Sequence, residues 1–444
     1  MKAALLYFAD SIIFEAICLA TPFWYNAALA MIKPLYKWRI KKRALNMEQL
    51  QQECLERFGP FQQPKNRNAI WFHVVSVGET NAAQPLIEHY LKLGHAVLVT
   101  NTTKTGQTRA KSLFLKAPYA ALFQAVYLPA DQKKLVRAFY EKYQPKVLVL
   151  VETEIWPNLI DQAKHFNVPC LLINARLSEK SAQGYAKIPS LTQGMLNGLD
   201  RLLAQDQATL QRYLNLGMSA NKSQVLGSIK FDIHAPESFI QQAEQLKQGW
   251  NLASRKIITL ASTHAPEEQK LLTALKPYLS QCPELLVIVV PRHPERFDEV
   301  FQLAQDLQLN TQRRSLGQSI AADTQVYLAD SMGEMWLWYA LSQVCFVGGS
   351  LNEPGGGHNI LEPIALHVAT VLGKNYFNFQ TIVDEFVAVE GVTVVQDAEQ
   401  AAQVLIELLT DEAKAKRLNS AAQQIMAKNT GSLAKHIAVI DQYL

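Results

Sequence analysis

From residue 69 onward the chain alternates short apolar runs with stretches whose apolar positions recur at helical spacing. In the first half the runs are 69–75 (AIWFHVV), 96–100 (AVLVT), 146–151 (KVLVLV) and 170–173 (CLLI). In the second half they are 256–261 (KIITLA), 285–290 (LLVIVV), 344–347 (VCFV) and 369–372 (ATVL). Runs this apolar at successive positions, not alternate ones, suit parallel strands covered by helices on both faces. Their alternation with helical patterns predicts a doubly wound α/β fold. The pattern lapses around 229–245 and resumes at 256, which divides the body into Rossmann-like domains over 44–235 and 236–444. No repeat of 20–50 residues and no low-complexity stretch interrupts it.

The first 43 residues follow another rule. Residues 3–32 are mostly apolar and long enough for a bilayer core, which needs about 20 residues, but Asp10, Glu15, Pro22 and Asn26 break the run. A cleaved signal peptide fits poorly, because the basic run follows the apolar stretch. A buried core helix is one alternative. A membrane anchor, spanning or lying in the interface, is the preferred expectation for 1–43. The flank KPLYKWRIKKR (33–43) has six basic residues in eleven, with Tyr36 and Trp38 among them. Such a flank stays cytoplasmic, which would put the body in the cytosol. It would also attract an anionic lipid.

Charge sharpens this picture. Residues 1–43 hold seven basic and two acidic side chains, a net of +5, whereas the whole chain carries +4, so the remainder stands at −1. No nucleic-acid partner is expected. The composition, 49% hydrophobic and 18% charged, is that of a globular protein. The five cysteines are scattered and form no CxxC pair, so neither disulfides nor a zinc site is expected, and a reducing compartment fits.

Candidate chemistry gathers at the ends of the apolar runs, where open α/β sheets bind ligands. In VVSVGET (74–80), Glu79 follows a strand and a turn at Gly78. It can serve as a base, being ionised at neutral pH, or as an acid complementing a helix N-terminus. In VLVTNTTKTGQTRA (97–110), the threonines can hold an anion or cap a helix. LVETEIWPNLI (150–160) carries Glu152 and Glu154 just past a strand, in a cleft or on a surface turn. Lys230 in GSIKFD stands where the first domain ends, and a lone lysine is usually solvated. VVPRHPERF (289–297) offers Arg292, His293 and Arg296, with arginine suited to phosphate or carboxylate. The most specific segment is VCFVGGSLNEPGGGHNILEPIAL (344–366), with five glycines in the ten residues 348–357. Glycines admit a ligand to the backbone, and a following helix start favours anions. Glu362 would meet ribose hydroxyls there. The phosphate-loop signature GxxxxGK[ST] is absent.

Taken together, the motifs resemble those of the 3-deoxy-D-manno-oct-2-ulosonic acid (Kdo) transferases of lipopolysaccharide assembly. The stretches that carry the likeness are WFHVVSVGE, TNTTKTG, YLPAD (127–131), ETEIWPN, NARLSEKS (174–181), GSIKFD, ASTHAPEE (261–268), PRHPERF, DSMGEM (330–335) and GGHNILEP (356–363). They occur in the family's order, and the N-terminal anchor matches as well. The resemblance implies a GT-B architecture, two Rossmann-like domains facing a cleft, the first for the acceptor and the second for the nucleotide sugar. It implies CMP-Kdo as donor, a tetraacyl lipid A precursor (lipid IVA) as acceptor, and inversion at the anomeric centre without a metal or other cofactor. By matching position, Glu79 is the general base, and Glu152 and Lys230 stabilise the transition state. Pro291, Arg292, Met332, Gly333, Glu334, Asn359, Ile360, Leu361 and Glu362 match the CMP-binding segments. It also implies a place on the cytoplasmic side of the inner membrane. Two departures affect loop conformation: Pro266 stands where the family usually has glycine, and NEPGGGHN is one glycine richer. Two rival readings are another GT-B enzyme, such as a UDP-sugar transferase or epimerase, and a non-catalytic membrane-tethered binding protein. Competition by CMP or UDP separates the first, and a turnover assay the second.

Overall fold

The structure, a computed structural model, describes residues 21–44 and 46–444. Residues 1–20 of the predicted anchor therefore lie outside the described residues. Among these, no helix is long and apolar enough to cross a membrane. The chain divides into two compact units: residues up to Asp232 together with Asn429–Leu444, and Ile233–Lys428.

The first unit is built on seven strands: β1 (Ile70–His73), β2 (Val97–Asn101), β3 (Phe123–Tyr127), β4 (Val147–Val151), β5 (Cys170–Ala175), β6 (Arg201–Ala204) and β7 (Ser223–Val225). All pair in parallel, in the order β3-β2-β1-β4-β5-β6-β7. The side chains explain the two-sided apolar signal. Trp71, Leu148 and Leu150 enter the core on one face, while Ile70, Phe72, Val147, Val149 and Val151 enter the core on the other. The strand order reverses between β1 and β4, the crevice where such sheets hold ligands.

The C-terminal segment completes this unit. Assignment from the pattern alone gives 429–444 to the second domain, but Val439 and Ile440 are buried in the first sheet's core. Tyr90 Oη donates to Asp441 at 3.0 Å, and the Leu433 N–H to Asp232 at 2.8 Å. Apolar burial, invisible to the local pattern, sends these residues back.

The second unit has strands β8 (Lys256–Thr263), β9 (Leu285–Pro291), β10 (Thr311–Arg313), β11 (Val326–Leu328), β12 (Val344–Val347), β13 (Ala369–Gly373) and β14 (Thr393–Val395). They too are all parallel, in the order β10-β11-β9-β8-β12-β13-β14. Order reverses here between β8 and β12. Leu285, Val287 and Val289 fill one face of β9, and Leu286, Ile288 and Val290 the other.

The helix Phe23–Arg43 lies against the first unit through one side. Tyr25 Oη donates to the buried Asp131 at 2.9 Å, and Asn26 Oδ1 accepts from Asn158 Nδ2 at 3.1 Å. Ile40 is buried. Trp24, Met31, Leu35 and Trp38, on the other side, are exposed. The helix has no acid in its first turn and ends in Lys41, Lys42 and Arg43, a charge placement that suits its dipole.

Candidate functional site

In the first unit the candidate residues gather beyond the ends of β1 and β4. Ser76 caps the helix Val77–Lys92. This puts Glu79 in its first turn, where Glu79 Oε2 accepts the Val75 N–H at 2.6 Å and Oε1 lies 3.4 Å from Ser76 Oγ. The helix-start role and an acid at the ligand crevice thus coexist. Burial pushes the Glu79 carboxyl up to about 8, and the neighbouring Glu152 and Glu154 add to this against the pull of the Val75 N–H and Lys230. That corrects the expectation of a carboxylate fully ionised at neutral pH: the pocket is too desolvated.

Glu152 follows β4 in the left-handed region, with φ of 67°. For a residue with a long side chain this is strained. Its N–H donates to Ile173 O at 3.0 Å, which holds the turn on β5. Its carboxylate meets Lys230 Nζ at 2.6 Å. Lys230 is therefore a half-buried ion-pair partner, not the solvated lysine that isolated lysines usually are. Glu154 accepts from Trp156 Nε1 at 2.9 Å, and His73 Nε2 lies 3.7 Å away.

The Lys230 loop is held from behind. The Ile229 N–H donates to Asn174 Oδ1 at 3.2 Å, and the Ser228 N–H to Asn429 Oδ1 at 2.8 Å. Asn174 in turn donates its N–H to His436 Nε2 at 3.2 Å. A side chain at Gly227, where φ is 84°, would stand 2.3 Å from Ser432 Oγ. The threonine-rich turn plays the capping role: Thr103 Oγ1 accepts from the Gly106 N–H at 3.1 Å and donates to Val75 O at 2.8 Å. It thereby braces the residue that holds Glu79.

In the second unit the glycine-rich segment differs from expectation. The N–H groups of Gly349, Ser350 and Leu351 do not await an anion. They donate to the carboxylate of Glu267 at 2.7, 2.9 and 2.8 Å. The His264 N–H makes a fourth bond at 3.1 Å, and Glu267 is fully buried. A Cβ on Gly348 would stand 2.7 Å from Thr263 Cα and 2.9 Å from Glu267 Oε2, so this glycine serves the packing of β12 against β8. The Ala265–Pro266 peptide beside it is cis.

The other predicted nucleotide contacts fall in three places. Pro291 closes β9 and is buried, while Arg292 is exposed. Met332 and Gly333 form an exposed turn, with Gly333 at φ 85°. Glu334 is bound by Arg314 at 2.9 and 3.2 Å and by Ser331. Ile360 and Leu361 bury their side chains, leaving backbone groups as the parts that can meet a ligand. Asn359 Nδ2 donates to Glu362 at 3.3 Å, and burial pushes the Glu362 carboxyl up. The sequence reading does not single out His73, His264 or Glu267. A polar residue at a strand's last or following position is the signal that marks His73 and His264, while Glu267 opens the helix after β8.

Comparison with known proteins fits this architecture. A UDP-GlcNAc 2-epimerase from Neisseria meningitidis shares the fold at 13% identity, with a TM-score of 0.50 over 84% of this chain and all of its own. Residues 52–233 match the family described as 3-Deoxy-D-manno-octulosonic-acid transferase (kdotransferase). The 3-deoxy-D-manno-octulosonic acid transferase of Haemophilus influenzae is 34% identical over 429 residues, 95% of this chain and 98% of the relative. The solved C-terminal CMP-Kdo binding domain of WaaA from Acinetobacter baumannii is 61% identical, covering 43% of this chain and 99% of that one, with a TM-score of 0.43. This chain belongs to the 3-deoxy-D-manno-octulosonic acid transferase family, and is thus a glycosyltransferase.

Proposed function

We propose that this enzyme moves Kdo from CMP-Kdo to lipid IVA in lipopolysaccharide assembly, with Glu79 as the general base. The observation that carries the reading is the Glu79 carboxyl, raised to about 8 beside the Glu152–Lys230 pair. A base with a pKa near the working pH transfers protons most effectively. Glu79 takes the proton of an acceptor hydroxyl as that oxygen attacks the anomeric carbon, and CMP departs from the opposite face. Lys230 offsets negative charge, and Glu152 holds the ammonium in place. Arg292, the 332–334 turn and the backbone of 359–362 are the proposed CMP contacts, with Glu362 for the ribose.

Turnover of CMP-Kdo with lipid IVA, read by product mass, tests this. Glu79→Gln is expected to slow transfer by about a hundredfold or more with an unchanged melting temperature. Near-normal transfer in that variant would remove Glu79 from the role.

The proposal extends to the inner membrane, with the catalytic body on the cytoplasmic side. Support comes from the helix Phe23–Arg43, whose exposed Trp24, Met31, Leu35 and Trp38 are flanked by Lys37, Arg39, Lys41 and Lys42. An apolar stripe edged by cations lies stably in an anionic bilayer surface. Replacing Trp24, Leu35 and Trp38 with serine should weaken co-sedimentation with phosphatidylglycerol vesicles, and unchanged binding would count against this helix.

A further inference from the structure

The loop amides that would usually hold a phosphate are occupied by Glu267. The same end of the second sheet nevertheless gathers a different set of anion-binding groups. His264 follows β8, Arg292 and His293 follow β9, and His358 follows the glycine-rich loop after β12. His264 Nε2 and His358 Nε2 are 2.8 Å apart, and the two ring planes lie within 9° of each other. The His293 ring is centred 5.0 Å from that of His264.

Glycine at 349 follows from this arrangement. Its φ is +66°, and a Cβ there would stand 3.0 Å from His358 Cδ2 and 3.5 Å from His264 Cδ2. The missing side chain makes room for imidazoles where a phosphate was expected. An Nε2 to Nε2 hydrogen bond uses one proton, one ring donating and the other accepting. Arg292 is exposed and has no carboxylate partner among the described residues. Two of the nearby acids are engaged elsewhere, Glu268 by Arg296 at 2.7 Å and Glu267 by backbone N–H groups. Burial, followed by His264, Arg292 and His293, lowers the His358 imidazole to about 4. Glu295 Oε1 stands 3.7 Å from His293 Nδ1, but the Arg292 guanidinium and the His264–His358 pair converge with no carboxylate bound to either among the described residues, an arrangement that suits an oxyanion.

We propose that His264, His358 and Arg292 form an oxyanion subsite of the second unit, taking a phosphate or carboxylate oxygen of the sugar-nucleotide donor. The assignment rests on the reading of the enzyme as a CMP-Kdo-dependent transferase. CMP and Kdo each bring one such group, the phosphodiester and the sugar carboxylate.

The test uses the full chain and the variants His264→Asn, His358→Asn, their combination, and Arg292→Met, which alters an exposed side chain and keeps the fold. Calorimetric titration with CMP and with cytidine is paired with the KM for CMP-Kdo, and thermal melts accompany each variant. If the subsite takes the phosphate, CMP binding weakens by about tenfold or more while cytidine binding is unchanged. If it takes the carboxylate, CMP binding holds and the KM for CMP-Kdo rises by a similar factor. Unchanged CMP affinity with unchanged KM overturns the proposal, as does an equal loss for CMP and cytidine. Wild-type protein that binds UMP in place of CMP would overturn the donor assignment instead. The subsite would then be judged by UMP against uridine.

Discussion

Lys230 Nζ lies 2.6 Å from Glu152 Oε1, and both charges act on the Glu79 carboxyl in opposite directions. The pair therefore bears on the pH at which the proposed base works. A group raised to about 8 is protonated below that value, so kcat/KM should rise with pH and level off above about 8. Glu152→Gln removes a neighbouring negative charge and should move the midpoint down, and Lys230→Met should move it up. Midpoints that do not move in these variants, measured by pH–rate profiles, would show the pair to be uncoupled from Glu79.

The left-handed backbone at Glu152, φ 67°, gives a second test. Glycine accepts this conformation without the steric penalty that alanine meets. Both substitutions remove the carboxylate equally, so their difference isolates the backbone. Glu152→Gly should be more stable than Glu152→Ala by about 1 kcal/mol in urea unfolding, with transfer slowed to the same extent in both. Equal stability would mean that the turn relaxes.

Glu267 is the internal anion of the glycine-rich segment. Glu267→Gln keeps the shape but leaves one of its two acceptor oxygens as an NH2 group, so donors among Gly349, Ser350, Leu351 and His264 lose their acceptor. Unsatisfied buried donors cost about 1–3 kcal/mol each. The variant should melt several degrees lower and bind CMP poorly. A wild-type melting temperature would show that the carboxylate can be replaced at no cost.

Acid should weaken the fold through His436. Burial lowers this imidazole to about 4, and its Nε2 accepts the Asn174 N–H. The unfolded chain takes up a proton near pH 6.5 while the folded one does not. Stability is thus whole above that value and is lost as pH falls towards 4, by about 2 kcal/mol at pH 5. His436→Gln should flatten this part of the stability–pH curve. His358, also lowered to about 4, contributes in the same direction.

The eight strands legible as apolar runs are β2, β1, β4 and β5 in the first sheet and β9, β8, β12 and β13 in the second, the middle four or near-middle four of each. They are covered on both faces, so burial shows in every position. The strands the pattern omits, β3, β6, β7, β10, β11 and β14, lie towards the margins. Four of these six, β7, β10, β11 and β14, have only three residues. The site divides in the same way. Glu152 and Arg292 were legible because each directly follows a buried run, and Glu79 because it opens the helix after one. The Glu267 carboxylate under Gly349 and the Asn429 side chain under Ser228 were not, because partners 82 and 201 residues apart leave no mark on a local pattern.

That last contact has a consequence for biosynthesis. Ser228 and Asn429 meet within the first unit, so the whole second unit is an insertion between them. The loop that presents Lys230 cannot acquire its final support until residues 429–444 have left the ribosome, long after the rest of its own sheet has emerged. A nascent chain interrupted anywhere in the second unit would carry a first unit that has all seven of its strands yet lacks a seated Lys230.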